Sequence, residues 1–236
     1  MNTTLTKEDF LNGQVLFIDK PLGWSSFQAV NKLKWAIRKK FGLKKLKIGH
    51  AGTLDPLATG LLIICTGKFT KKIPEYQGQT KEYTGTITLG ATTPSYDMET
   101  EVDQLFPTAH ITEDGIKKAT QALTGEIAQT PPIFSALKKD GKRMYEYARA
   151  GKEIELKKRN VTIFEFEITA ISLPEVHFRI CCSKGTYIRS IAHDFGHQLG
   201  SGGYLSALRR TKIGDFNVDI AQDPGAFADH ILLGQA

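Results

Sequence analysis

The stretch GHAGTLDPLATGLLIICTGKFTKK, residues 49–72, joins a glycine-containing loop to a continuous apolar run. The run LLIIC at 61–65 is short and apolar throughout, which predicts a buried strand. The loop before this run carries Asp55, and the following Pro56 biases Asp55 away from helical dihedrals. Gly49 and Gly52 would let another backbone approach closely. The stretch therefore predicts one carboxylate displayed on a loop beside a buried strand.

The charge around Asp55 is strongly one-sided. Residues 20–74 contain twelve lysines and arginines, and Asp55 is their only acid. After Lys212 the chain has four aspartates and no lysine or arginine. A basic segment on an otherwise slightly acidic chain favours a face that binds a polyanion. The alternative is an ordinary solvated, lysine-rich helix face.

Length and composition are those of an ordinary globular protein. The 236 residues are 41% hydrophobic and 24% charged, enough for one large domain or a domain with an appendage. No run of 18 apolar residues suggests a membrane span, and the N-terminal MNTTLTKEDF does not have the pattern of a signal peptide. We therefore expect a cytoplasmic protein.

Cysteines and histidines give little support for a disulfide framework or a metal. Cys65, Cys181 and Cys182 are odd in number and form no CxxC pair, which argues against disulfides and structural zinc. His193 and His197 would share a helix face, as half of a metal site would require, but no third ligand is near in sequence. A solvated helix face is the favoured interpretation.

The pattern of elements predicts an α+β fold with a mixed, mainly antiparallel sheet flanked by helices and loops. Residues 14–19 form a short apolar strand, and Ser25 with Gln28 fits a capping box that starts a helix ending at Gly42. Its apolar stripe is predicted to comprise Phe27, Val30, Leu33, Ile37 and Phe41.

The rest of the chain alternates irregularly between strands and helices. EYTGTITLG at 82–90 alternates as a strand with Tyr83 on its core-facing side, and residues 113–124 look helical. TIFEFEI and VHFRICC are two further strands. SKGTYIRS at 183–190 turns from strand to helix, which places Tyr187 and Arg189 where side chains can point into a site.

Motif searches narrow the chemistry that one carboxylate could perform. The sequence contains no GxSxG nucleophile elbow, no GxxxxGK[ST] phosphate loop and no GxGxxG fingerprint. No second acid lies close to Asp55 in sequence, as glycoside hydrolysis by paired carboxylates would require. What remains is covalent or electrostatic work by Asp55 at a sugar or base. Asp55 could equally be a residue that only braces its loop.

Four sequence blocks carry a family resemblance. GHAGTLDPLATGLL resembles the catalytic motif of TruB-type tRNA pseudouridine synthases, and KPLGWSS, SKGTYIRS and LSALRRTKIGDF match three further blocks in the family's order, over residues 14–216. The resemblance implies the pseudouridine synthase fold as one catalytic domain over residues 1–236. It also implies isomerisation of the T-loop uridine of tRNA, position 55 of the tRNA, without cofactor or metal.

Roles for individual residues follow from the same resemblance. It implies that Asp55 is the catalytic aspartate, that Arg189 pairs with it, and that Tyr83 stacks on the flipped uracil and is placed to take the C5 proton. The remaining residues implied to bind substrate are Lys20, His50, Tyr187 and Leu208. Core positions for Tyr83 and Leu208, and a surface position for Lys20, are the alternatives.

The resemblance also bears on RNA binding and partners. The stretch at 131–152, with several lysines, resembles the family's RNA-clasping insertion, which we expect to close on the T-arm of tRNA. About twenty residues follow GDF at 214–216, too few for the C-terminal RNA-binding (PUA) domain of many members. We expect a monomer with no obligatory protein partner.

Two competing functions and one departure from the family remain. The chain could be a catalytic subunit that needs guide RNA and partners, or a tRNA-binding chaperone in which Asp55 is structural. TPSYDMETEVD at 93–103 lacks the glycine expected after the family's strand-edge aspartate, which puts the role of Asp97 in doubt.

Overall fold

A computed structural model describes residues 5–135, 138–139, 142–144 and 156–233. The α-helices are α1 (Lys7–Asn12), α2 (Ser26–Phe41), α3 (Ile73–Gly78), α4 (Glu113–Ala122), α5 (Ile188–Gln198) and α6 (Pro224–Leu233). Two 3₁₀ helices span Gly67–Lys72 and Val218–Ile220. No helix among these residues combines the length and apolar character needed to cross a membrane.

Thirteen strands are described in the same residues. They are β1 (Val15–Lys20), β2 (Ile48–His50), β3 (Ala58–Thr66), β4 (Lys81–Leu89), β5 (Ala91–Thr92), β6 (Gln104–Leu105), β7 (Gly125–Gln129), β8 (Lys138–Lys139), β9 (Lys142–Arg143), β10 (Arg159–Ser172), β11 (Glu175–Cys182), β12 (Gly203–Ile213) and β13 (Phe216–Asn217).

The chain divides into two compact units. One comprises Met1–Tyr83 with Arg209–Ala236, and the other comprises Thr84–Leu208. The expected single catalytic domain over residues 1–236 stays a prediction. Most of the expected RNA clasp at 131–152 lies outside the described residues.

The first unit is built around β3, a strand buried on both faces. The strand order is β1–β3–β12, with β2 also paired to β3 and β13 to β12. Leu62 and Ile64 pack in a cluster with α2 and α6, while Leu61, Ile63 and Cys65 pack in a second cluster on the other face. Burial on both faces explains why LLIIC is apolar at every position rather than alternating.

Helix α2 begins and ends where the sequence predicts. The Ser25 side chain accepts from the Gln28 N–H while the Gln28 side chain accepts from the Ser25 N–H, and Gly42 ends the helix in the left-handed conformation. The predicted apolar stripe is wrong at its first member, because Phe27 is 68% exposed. The buried face is instead completed by Ala29 and Ala36, whose small side chains allow close packing.

The second unit contains β7, β10 and β11 with most of β4 and the first part of β12, in the order β12–β4–β11–β10–β7. The β10–β11 and β7–β10 pairs are antiparallel, as are β1–β3 and β2–β3 of the first unit. The predicted alternation of β4 is confirmed at Tyr83, Ile87 and Leu89, which are all buried. Helix α5 packs its Phe195 ring 5.6 Å from that of Phe166 on β10. Together these elements confirm the predicted α+β class.

Candidate active site

The Asp55 loop connects β2 to β3 and is tied down on both sides of the carboxylate. The Ala58 N–H donates to the Asp55 carbonyl at 3.1 Å, and the Gly23 N–H donates to the Pro56 carbonyl at 2.9 Å. The second bond joins the KPLG turn after β1 to the loop. Two separate sequence blocks, joined through residues 33 positions apart, therefore form one local structure around Asp55.

Ser26 fixes the residue immediately before Asp55. Its Oγ accepts from the Leu54 N–H at 2.8 Å and donates to the Leu54 carbonyl at 3.0 Å. Both residues are buried, at 2% and 3% exposure. Buried backbone groups need hydrogen-bond partners. One serine at the start of α2 therefore satisfies both backbone groups of Leu54 and fixes this part of the loop against the helix.

Arg210 is a second buried side chain that supports the loop. It is 1% exposed, and its Nε donates to the Leu61 carbonyl at 2.7 Å while its Nη2 donates to the Gly52 carbonyl at 3.1 Å. Gly60 permits this approach, because a Cβ there would lie 2.3 Å from the Arg210 carbonyl oxygen. Gly60 also has a φ of +104°, a conformation that disfavours any side chain.

Lys20 is a buried cation in the same unit, so the surface-lysine alternative is wrong. Its side chain is 0% exposed, and Nζ donates to the carbonyls of Pro21 at 3.0 Å and Trp24 at 2.5 Å. Burial lowers the pKa of Lys20 to about 8, the Asp55 carboxylate acts to raise it, and Arg210 lowers it further. The Lys20 ammonium and the Asp55 carboxylate are therefore close enough for their charges to influence each other.

His50 and Tyr83 complete the predicted residues of the first unit. Burial and the Arg210 charge lower the pKa of His50, against the raising effect of a hydrogen bond with the Gly52 backbone. Since the ordinary histidine pKa is about 6.5, this lowering leaves the His50 ring neutral at pH 7. Tyr83 is 9% exposed on β4, on the core-facing side as predicted.

Arg189, in the second unit, is almost fully buried and held in place by several acceptors. Nη1 donates to the Ser95 carbonyl at 3.1 Å and Nη2 to the Phe134 carbonyl at 2.8 Å. Nε lies 3.6 Å from Oδ2 of Asp97, whose other carboxylate oxygen accepts from the Glu99 N–H at 2.9 Å. Asp97 therefore serves as an ion-pair partner of Arg189 despite the missing glycine after it.

Tyr187 is positioned by its backbone. It precedes the first residue of α5, and the buried Gln129 side chain accepts from its N–H at 2.8 Å and donates to its carbonyl at 3.0 Å. The Arg159 guanidinium lies 5.7 Å from the Tyr187 ring centroid. Gln129 therefore holds the residue immediately before α5, which is two residues before Arg189.

The predicted site residues are divided between the two units. Lys20, His50, Asp55 and Tyr83 belong to the first, and Tyr187, Arg189 and Leu208 to the second. Leu208 is partly exposed on β12. The pairing of Arg189 with Asp55 stays a prediction.

Sequence reasoning missed three residues that shape these sites. They are Ser26, Gln129 and Arg210, all buried polar side chains. Ser26 and Arg210 lie inside the family blocks, and this position was the one sequence feature that could have indicated their importance. Gln129 lies outside the blocks.

The predicted solvated helix face is confirmed at His197, which is exposed, and is wrong at His193, which is half-buried. The His193 ring stacks on Tyr96, with ring centroids 4.0 Å apart. Tyr96 itself has a φ of +63°, which is uncommon for a residue other than glycine. Among the described residues, no three histidine, cysteine or acidic side chains gather as metal ligands would.

Comparisons with known proteins find relatives over most of the chain. A family model described as TruB family pseudouridylate synthase (N terminal domain) matches residues 38–188. A Flavobacterium johnsoniae protein named tRNA pseudouridine synthase B is 65% identical over 96% of this chain and 100% of its own length. A protein of that name from Phocaeicola vulgatus is 54% identical over 89% of this chain and 90% of its own.

A solved structure is similar to this chain at lower sequence identity. A chain from the crystal structure of a Cbf5–Nop10–Gar1 complex is 28% identical with a TM-score of 0.69, and the match covers 96% of this chain. This chain spans 58% of the length of that one. The family model and the two relatives named tRNA pseudouridine synthase B point to the same family. The chain belongs to the TruB family of pseudouridylate synthases.

Proposed function

We propose that this chain isomerises the T-loop uridine of tRNA, at tRNA position 55, to pseudouridine, with no metal or cofactor. The relatives named tRNA pseudouridine synthase B support this substrate, since the match spans nearly all of both chains. The observation that carries the proposal is the single carboxylate of Asp55, held on a loop braced by Ser26 and Arg210. A fixed loop suits a reaction in which a small displacement of the reacting group is costly.

Asp55 acts at the sugar or base of the target uridine, and Arg189 pairs with it. The guanidinium is already oriented by Ser95, Phe134 and Asp97, so its planar donor set is preorganised before RNA binds. Lys20 adds a second positive charge that interacts with Asp55 from within the first unit. The two positive charges are proposed to hold the carboxylate in one orientation.

The uridine must leave its stack to reach Asp55. Extruding a base costs a few kcal/mol, and an aromatic side chain that stacks on the flipped base offsets part of that cost. Tyr83 is proposed to supply this face and to accept the C5 proton, with Tyr187 and Leu208 lining the same pocket. His50, neutral at pH 7, displaces neighbouring bases by packing rather than by charge.

The basic segment at 20–74 binds the phosphates, which positions the RNA without reading its sequence. We propose that the enzyme works in the cytoplasm as a monomer, without guide RNA or a protein partner. The similar Cbf5 chains were solved in complexes with Nop10 and with Nop10 and Gar1, which supports the competing function of a guided subunit. A tRNA chaperone is the second alternative.

Two unmodified tRNA transcripts test the proposal, one native and one with cytidine in place of the T-loop uridine. The protein alone, with no guide or partner added, should form one pseudouridine in the first transcript and none in the second. Pseudouridine in both would contradict the assigned position. Binding of both without any conversion would favour the guided subunit or the chaperone.

A further inference from the structure

An open groove of about 740 Å³ lies along the outer face of α2, in the first unit. Its lining residues are Asn31, Lys34, Trp35, Arg38, Lys39, Gly42, Leu43 and Lys44. Four of the eight are cations and none is acidic. The groove is made by one helix and the turn after it, and the bond from Arg38 Nε to the Leu43 carbonyl at 3.0 Å holds that turn against the helix.

Trp35 is the unusual member of this surface. Its side chain is 50% exposed, although tryptophan is among the residues that gain most from burial. The Lys39 Nζ lies 4.9 Å and the Lys32 Nζ 5.7 Å from its ring centroid. An exposed aromatic face flanked by cations is the arrangement with which proteins hold a nucleic-acid base and its neighbouring phosphates.

The groove also lies within reach of the Asp55 loop. Phe27, Asn31 and Trp35 are spaced by four residues and share one exposed face of α2, with Phe27 directly after Ser26. At about 1.5 Å per residue, Trp35 lies roughly 14 Å along the helix from Ser26, which contacts the loop. A stacked strand advances roughly 3.4 Å per nucleotide, so this separation is about four nucleotides.

We infer that this groove is an RNA-binding subsite in which Trp35 stacks on a base of the bound RNA while Lys34, Arg38, Lys39 and Lys44 contact its phosphates. The inference rests on the proposed function for the choice of RNA as the polyanion. An acidic protein or a second copy of this chain would need to supply matching negative charge and an apolar contact to Trp35. RNA supplies both with one strand.

The test follows RNA binding and catalysis separately in variants of Trp35. Stacking of one base is worth roughly a 5- to 150-fold change in affinity, so Trp35→Ala should raise Kd and KM for unmodified tRNA about tenfold. Trp35→Phe should keep most of the affinity, and the rate at saturating tRNA should stay at the wild-type level in both. Leu105→Ala, at an 82% exposed site elsewhere, is the matched control and should change neither constant.

Two further readouts separate stacking from a loss of folding. RNA should quench wild-type tryptophan fluorescence. Because Trp24 also contributes to this signal, Trp35→Phe should lose the part of the quenching that comes from Trp35. Lys34→Gln with Lys39→Gln should reduce the slope of log Kd against log salt by about 1 to 2. Lys7→Gln, an exposed lysine of α1, should leave the slope unchanged.

The outcomes distinguish failure of this inference from failure of the proposed function. Unchanged KM and quenching in the Trp35 variants would overturn the subsite, even with normal conversion. A Trp35-dependent dimer with unaltered tRNA binding would overturn it in favour of a second copy. Trp35-dependent quenching by tRNA without any pseudouridine formed would support the subsite and contradict the proposed function.

Discussion

Adjacent serines at the start of α2 have different partners, which allows a matched pair of substitutions. Ser25 caps the helix by accepting from the Gln28 N–H at 3.2 Å. Ser26 instead bonds both the N–H and the carbonyl of Leu54 in the loop that carries Asp55. Ser25→Ala therefore removes a helix cap, whereas Ser26→Ala removes the support of the candidate catalytic loop.

The expected magnitudes differ for the two serines. Loss of a serine cap costs about 1 kcal/mol. Ser26→Ala leaves two buried backbone groups of Leu54 without their partner, at about 1–3 kcal/mol each before relaxation. We expect a loss of about 3 kcal/mol in the free energy of unfolding for Ser26→Ala, and about 1 kcal/mol for Ser25→Ala. Urea unfolding of both variants measures the difference.

Catalysis should separate the variants further. A displacement of about 1 Å at a reacting group can cost roughly 100-fold in rate, so Ser26→Ala should lower the single-turnover rate by about 10- to 100-fold with little change in tRNA affinity. Ser25→Ala should keep the wild-type rate. Equal stabilities and equal rates in the two variants would refute the role assigned to Ser26.

Three further predictions concern buried polar side chains. Folding lowers the pKa of Lys20 from 10.5 to about 8. Between these two pH values the unfolded chain binds more protons than the folded one, so the free energy of unfolding should rise with pH by up to about 3 kcal/mol. Urea unfolding of Lys20→Met should lack this rise, and equal pH profiles for wild type and variant would contradict the prediction. Arg189→Lys cannot reproduce the separate bonds to Ser95 and Phe134, so single-turnover rate should fall far more than tRNA binding, and a nearly unchanged rate would remove the proposed pairing with Asp55. Gln129→Leu removes the bonds to the Tyr187 backbone and should lower the saturated rate while Kd for tRNA changes little; a change in Kd alone would show that Gln129 does not position the site.

Local signals in the sequence were enough to predict the elements around the site. The apolar run at 61–65, the capping box at Ser25 and the glycine at 42 each depend on neighbours within a few residues, and the structure has the strand and the helix where those signals place them. The predicted apolar stripe was wrong at Phe27 because periodicity identifies the buried face of a helix but not how far along the helix the core packs against it. Phe27 lies in the first turn, beyond that cover.

The support of the site could not be predicted because it depends on contacts between distant residues. Ser26 meets Leu54 across 28 positions, and Arg210 meets Leu61 across 149. A sequence shows that a serine or arginine is present, but its burial and its partner are set by packing of the whole unit. The resemblance located Asp55 and Arg189 through motifs, and nothing in the motifs assigned Lys20 a buried position.

The most direct test of the account replaces Asp55 by asparagine, which keeps the size of the side chain and removes its charge. Wild-type and Asp55→Asn proteins are incubated with unmodified tRNA, and pseudouridine formation is measured in single turnover beside tRNA binding. The account predicts that the variant binds tRNA as the wild type does and forms no pseudouridine. Conversion by Asp55→Asn at the wild-type rate would contradict it and leave Asp55 as a residue that only braces its loop.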